Sequence, residues 1–129
     1  MTPAQISKLK HDLRTTINHI IGYGELLVEL AAENGEEDLA SRMRNLVTKG
    51  RNMPRLVDEI LLAACGVAGD SARARRTLHE NLEQILEFSI SPQNSDITIY
   101  ERDLDRIKKA AVLLLKFLET RRELTSAAS

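Results

Sequence analysis

Leu39, Met43, Leu46, Gly50, Met53, Val57, Ile60 and Ala64 follow one another at alternating intervals of four and three residues. That spacing puts all of them on one stripe of an α-helix and excludes a strand, whose faces alternate every second residue. Sustained over four heptads, it defines a coiled-coil-like seam that other helices must cover. An earlier stretch has the same character: Ile6, Leu13, Ile20 and Leu27 form one row, and Ile17, Gly24 and Ala31 another. Leu9, Ile21, Val28 and Leu30 widen it, as expected of a helix packed on more than one neighbour.

Local punctuation places the elements. Thr2 as N-cap and Pro3 at the first helical position predict a helix over Pro3–Glu33. Asn34-Gly35 ends it, because Gly tolerates the left-handed conformation that closes helices. The second helix is predicted over Glu36 to Ala64, and so short a link makes the pair an antiparallel hairpin. Counting back from the loop sets His11 level with Glu59 and Ile20 level with Gly50. Gly66 to Asp70 is the clearest break. A third helix starts at Ser71 or, on the capping-box spacing of Thr77 and Glu80, at Thr77. Its apolar face is Leu78, Leu82, Ile85, Leu86 and Phe88. Ser91 to Ser95 reads as a loop. Thr98 and Glu101 repeat the capping spacing and open a fourth helix, about Ile99 to Glu123, whose stripe is Leu104, Ile107, Ala111, Leu114, Leu115 and Leu118. Thr125 to Ser129 is expected to fray.

The expected fold is all-α: a hairpin over 1–65, a linker over 66–76, a second hairpin over 77–124 and a tail over 125–129. A four-helix bundle can then close in two ways, by homodimerisation of the first hairpin or by packing of the second hairpin onto it.

Composition narrows the function. A chain of 129 residues is long enough to bury its own core. A net charge of −1 does not suit a general nucleic-acid binder, which must neutralise many phosphates. Aromatics at 3% with no Trp offer no stacking platform for single strands. Cys65 is the sole cysteine, so no internal disulfide forms and a reducing compartment fits. Three scattered histidines and one cysteine show no metal-ligand spacing. The N-terminal stretch lacks a signal peptide's apolar core. The longest apolar runs, Ile60–Cys65 and Ala110–Leu115, fall far short of the ~20 residues of a membrane span. The expectation is a soluble, cytoplasmic protein without a metal.

The chemistry concentrates in the first helix. With Ile6, Leu13, Ile20 and Leu27 inward, His11 falls on the solvent side, and Thr15 and Asn18 share nearly its face at ~100° per residue. A phosphoryl acceptor needs an exposed imidazole that is neutral, and an unperturbed imidazole, with a pKa of ~6.5, is largely so near neutrality. Asp12 could hold one ring nitrogen and leave the other as nucleophile, while Lys8, Lys10 and Arg14 would offset phosphate charge. An exposed histidine on a helix is more often simply solvated, and His19 and His79 are read so.

His11-Asp12-Leu13-Arg14-Thr15, then Asn18, Ile20-Ile21-Gly22-Tyr23, Glu25 and Leu27 resemble the H-box of sensor histidine kinases. In that dimerisation and histidine-phosphotransfer helix the run is His-(Glu/Asp)-Leu-Arg-Thr-Pro-Leu-Asn followed by Ile-Ile-Gly-(Tyr/Phe)-x-Glu-x-Leu. Leu56-Val57-Asp58-Glu59-Ile60-Leu61 resembles the end of the family's second helix, so the likeness covers Ser7 to Leu62. The resemblance implies that His11 is the phosphoacceptor, Asp12 its general base, and Thr15 the residue that places water for dephosphorylation of the partner, with Arg14 and Asn18 beside them. It implies a receiver domain docked on the lower half of the hairpin, and homodimerisation. The family's Pro is Thr16 here, and Pro54 stands level with it on the second helix. No Asp-x-Gly-x-Gly box follows Leu62, so the chain holds no cofactor of its own, and ATP and Mg would act through a separate kinase domain. Whether the chain is itself an enzyme is left open. The alternative is a non-catalytic dimerisation or regulatory bundle that docks a kinase or receiver without phosphotransfer.

The second hairpin echoes the first. Leu82 to Ser89 aligns with Ile17 to Gly24 at an offset of 65, and Ile107 to Leu114 aligns with Leu46 to Met53 at an offset of 61. In this register Arg76 stands where His11 stands, so the copy carries no acceptor. The same apolar spacing is also common to unrelated bundle helices.

Overall fold

The computed structural model describes residues 2–64, 66 and 71–128; Cys65, four residues of the expected break (67–70) and Ser129 lie outside them. Four helices and no strand make up the described residues: α1 (Pro3–Glu33), α2 (Glu37–Ala64), α3 (Ser71–Glu87) and α4 (Thr98–Ala128). Thr2 caps α1 as its sequence indicates. Its hydroxyl accepts the Gln5 N–H at 3.2 Å, and the Gln5 side chain accepts the Thr2 N–H at 2.8 Å.

The turn between α1 and α2 is compressed into three residues. Gly35 is left-handed at φ +71, Glu36 N–H donates to Ala31 O at 2.8 Å, and Gly35 N–H donates to Ala32 O at 3.2 Å. Those two bonds satisfy the last carbonyls of α1 in a Schellman arrangement. Glu36 O then accepts the Ala40 N–H at 2.9 Å, so one residue ends the first helix and begins the second.

Of the two starts read for the third helix, α3 takes Ser71, which makes Thr77 and Glu80 mid-helix residues and shortens the 66–76 linker by its last six positions. Two further boundaries differ from the sequence reading. At α4 the side-chain acceptor is Asp96, whose Oδ1 takes the Thr98 N–H at 3.0 Å, and not Thr98. The helix also continues through the expected tail to Ala128.

α1 packs on α2 and α4, α2 also on α3, and α3 on α4. The bundle is therefore closed within one chain, the second of the two expected routes. Exchanging α1 for α3 and α2 for α4 leaves this set of neighbours unchanged. Burial follows the same exchange. Leu13, Ile17 and Ile20 are buried, as are Leu78, Leu82 and Ile85; Leu39, Met43, Leu46, Met53, Leu56 and Val57 are buried, as are Tyr100, Leu104, Ile107, Leu114, Phe117 and Leu118. The copy is incomplete, because α3 ends at Glu87 and a non-helical segment from Phe88 replaces the lower turns that α1 has.

That segment is tied to the first hairpin by a buried acid. Glu36, only 5% exposed, accepts the Gln93 N–H at 3.0 Å, the Asn94 N–H, and the Ser95 hydroxyl at 3.2 Å. Ser95 Oγ lies 2.9 Å from the hydroxyl of the fully buried Tyr100. These donors hold the Glu36 carboxyl below its ordinary pKa, backbone N–H of Gln93 first.

Candidate functional site

α1 is unbroken past His11, so every side chain there is placed by helix geometry and by the neighbours on either side. His11, Thr15, Asn18, Gly22 and Leu26 are exposed and descend one outward face, their directions lying within about 60° of His11 at ~100° per residue. Leu26 keeps 51% of its surface in solvent, an apolar residue at the foot of a polar row.

The two borders of this strip are pinned by charge. On the α2 side Lys10 Nζ lies 3.3 Å from Asp58 Oδ1, Arg14 Nη2 donates to Asp58 Oδ2 at 3.3 Å, and Arg51 pairs with Glu25 at 2.5 Å. On the α4 side the Arg106 guanidinium stands over the Tyr23 ring, 5.1 Å from its centroid. The Tyr23 ring lies 6.1 Å from that of His19. Such exposed contacts stabilise modestly, on the order of 0.2–1 kcal/mol each. Their larger effect is to fix which face of α1 stays open.

The residues singled out by sequence are brought to one end of this strip, with different engagements. His11 and Asp12 are both exposed, and among the described residues no hydrogen bond joins Asp12 to the His11 ring. Consecutive helical side chains diverge by ~100°, which turns Asp12 toward the α4 border. The Thr15 hydroxyl donates to His11 O at 3.0 Å, so it is occupied by its own helix. Thr16, in the position where the resembled motif has Pro, donates its hydroxyl to Asp12 O at 3.0 Å. α2 likewise runs through Pro54 as a single helix.

Gly50 lies at the level counted for it. A Cβ built there would stand 3.4 Å from Ile20 Cγ2 and 3.1 Å from Ile21 Cγ1. Asp58 was not singled out by sequence, although the same counting that puts Glu59 opposite His11 puts Asp58 within reach of Lys10 and Arg14. Two basic residues four apart on α1 facing an acid on α2 were the available signal.

Among the described residues, no cluster of three or more metal-ligating side chains occurs, and no helix is long and apolar enough to cross a membrane. No protein-family model matches the chain, and neither a curated protein nor a solved structure matches it. The fold and site together define a single-chain four-helix bundle with a solvent-facing histidine at the head of an open helical face.

Proposed function

We propose that the chain is a histidine phosphoacceptor module of two-component signalling, exchanging a phosphoryl group between His11 and the aspartate of a receiver domain in the cytoplasm. The observation that carries this is the open face of α1: His11 at its head, with Thr15, Asn18, Gly22 and Leu26 unobstructed below it. A partner seated on that face brings its aspartate to the imidazole. A neutral ring nitrogen then forms the N–P bond as the P–O bond to the aspartyl carboxyl breaks and carboxylate leaves. The proton on the other ring nitrogen becomes acidic and passes to Asp12 or water. ATP and Mg enter through a separate kinase domain, which would load His11 from its own site.

Packing of α3 and α4 on α1 and α2 within one chain supports a bundle that closes without a second copy. We therefore place one acceptor in each bundle, where the resemblance alone implies a homodimer with two.

A regulatory bundle that docks without phosphotransfer is the competing function. The engaged Thr15 hydroxyl and the absence of an Asp12–His11 hydrogen bond favour it. The two are separated by offering the chain phosphorylated receiver domains, or a separate histidine kinase with ATP, and measuring acid-labile phosphate. Label on the wild type that is lost in His11→Ala supports phosphotransfer. No label on the wild type, or equal label on His11→Ala, ends it.

A further inference from the structure

Lys10 and Arg14 flank His11 in sequence, yet both reach across the hairpin to one carboxylate on α2. At ~100° per residue Arg14 lies about 60° and Lys10 about 100° from His11, both toward α2, so the imidazole sits at the outer edge of this cluster. Asp58 Oδ1 is shut off from solvent and receives no hydrogen bond, with the Lys10 ammonium 3.3 Å away. A carboxylate oxygen withdrawn from water holds a cation more firmly than a solvated one.

We propose that Asp58 competes with a phosphoryl group on His11 for Lys10 and Arg14, so that modification of His11 is sensed on α2. With the imidazole unmodified, Asp58 holds both cations. A phosphoryl group on His11 adds a dianion beside them. Arg14, one turn further along α1, presents two N–H donors whose fork matches phosphate oxygens. As Arg14 and then Lys10 turn to the phosphoryl group, the ionic tie between the upper ends of α1 and α2 is released. Asp58 is a positioning residue: it never touches phosphate, and its presence makes His11 a poorer anion acceptor. This rests on His11 being the acceptor proposed above, but its test needs no receiver.

Phosphoramidate provides that test, because it phosphorylates histidine directly. The imidazole nitrogen forms the N–P bond as the reagent's own P–N bond breaks; ammonia leaves and the displaced ring proton passes to solvent. In a His19→Asn/His79→Asn chain, His11 is the sole histidine that reacts. Asp58→Asn in that background is expected to raise the phosphorylation rate about two- to fivefold at low salt, the gain shrinking as salt screens it. The ³¹P resonance of the phosphohistidine is expected to shift with it, reporting altered contacts of the phosphoryl group. Adding Lys10→Met and Arg14→Met is expected to remove the gain. The Lys10→Met/Arg14→Met pair alone, with Asp58 intact, should react more slowly than the parent, and Asp58→Ser takes the place of Asp58→Asn if that variant fails to fold. Equal rates with and without Asp58 in folded proteins, or a gain that survives loss of both cations, would overturn the proposal. An Asp58-dependent rate in a chain that takes label neither from phosphorylated receivers nor from a separate kinase with ATP would uphold the competition at His11 while ending the phosphotransfer reading.

Discussion

Gly24 of α1 lies so close to Val47 of α2 that a Cβ built on it would stand 2.7 Å from Val47 Cγ2. Val47 is itself buried and branched at Cβ, so it has little freedom to retreat. Gly24→Ala is therefore expected to destabilise by about 1–3 kcal/mol, the usual cost of an overpacked interface. Gly22, two residues away, has nothing within 4 Å of its added Cβ. Gly22→Ala gains helix propensity without a clash and is expected to stabilise by about 0.5–1 kcal/mol. Thermal unfolding of the two variants checks both signs; the same sign for both would contradict the packing described.

Glu36 makes the bundle's stability depend on acid. Its ordinary pKa of 4.5 is lowered in the folded chain because its charged form accepts N–H groups of the α3–α4 segment. A lowered folded pKa adds stability that is fully present above the unfolded value and is lost as pH falls through the folded one. Asp96, lowered by its bonds to Thr98, adds in the same sense. Glu36→Gln is expected to lower Tm at neutral pH, and its gap to the wild type to narrow as pH drops below 4.5. A gap that stays constant across that range would mean the carboxylate charge contributes nothing.

Much of this architecture was legible because heptad spacing speaks directly about burial. The row from Leu39 to Ile60 is buried where the spacing puts it, and Thr2, Pro3 and Gly35 mark the α1 ends that the chain adopts. The start of α3 was less legible, since Ser71 to Arg76 carries three arginines and a single apolar contact, and helix formation there follows from Ala74 packing into the core. The Glu36 clamp was hidden for a different reason. Its donors are backbone N–H groups 57 and 58 residues away, and backbone groups leave no mark in a residue pattern. At the site, periodicity indicated that His11 is exposed, while the Lys10–Asp58–Arg14 cluster depended on which acid of α2 faces the groove.

Closure of the bundle within one chain predicts a monomer. The apolar stripes of α1 and α2 are covered by α4 and α3, so the seam that a second hairpin would fill is already occupied. Sedimentation equilibrium of the whole chain should return a mass near 14.5 kDa. A concentration-independent dimer built from α1 and α2 of two copies, detected by cross-linking across those helices, would contradict this arrangement.

Thr16 tests whether the straight α1 beneath His11 matters. Thr16→Pro removes the backbone N–H of residue 16, deletes the hydroxyl bond to Asp12 O at 3.0 Å, and drives the proline ring against the Asp12 carbonyl. A proline inside a helix costs about 3 kcal/mol or is accommodated by a kink. Thr16→Ala separates the two contributions: it loses the hydroxyl but keeps the N–H, and such hydroxyl back-bonds stabilise helices little or not at all. Thr16→Ala is therefore expected to unfold at nearly the wild-type temperature, and Thr16→Pro well below it. Faster amide hydrogen exchange in Thr16→Pro should be confined to the turns of α1 around Asp12, because the lower half of α1 remains held by Gly24 against Val47 and by the Glu36 clamp. Equal stability and unchanged exchange in Thr16→Pro would mean that α1 already bends at this point, and that its continuity past His11 does not govern how the histidine is presented.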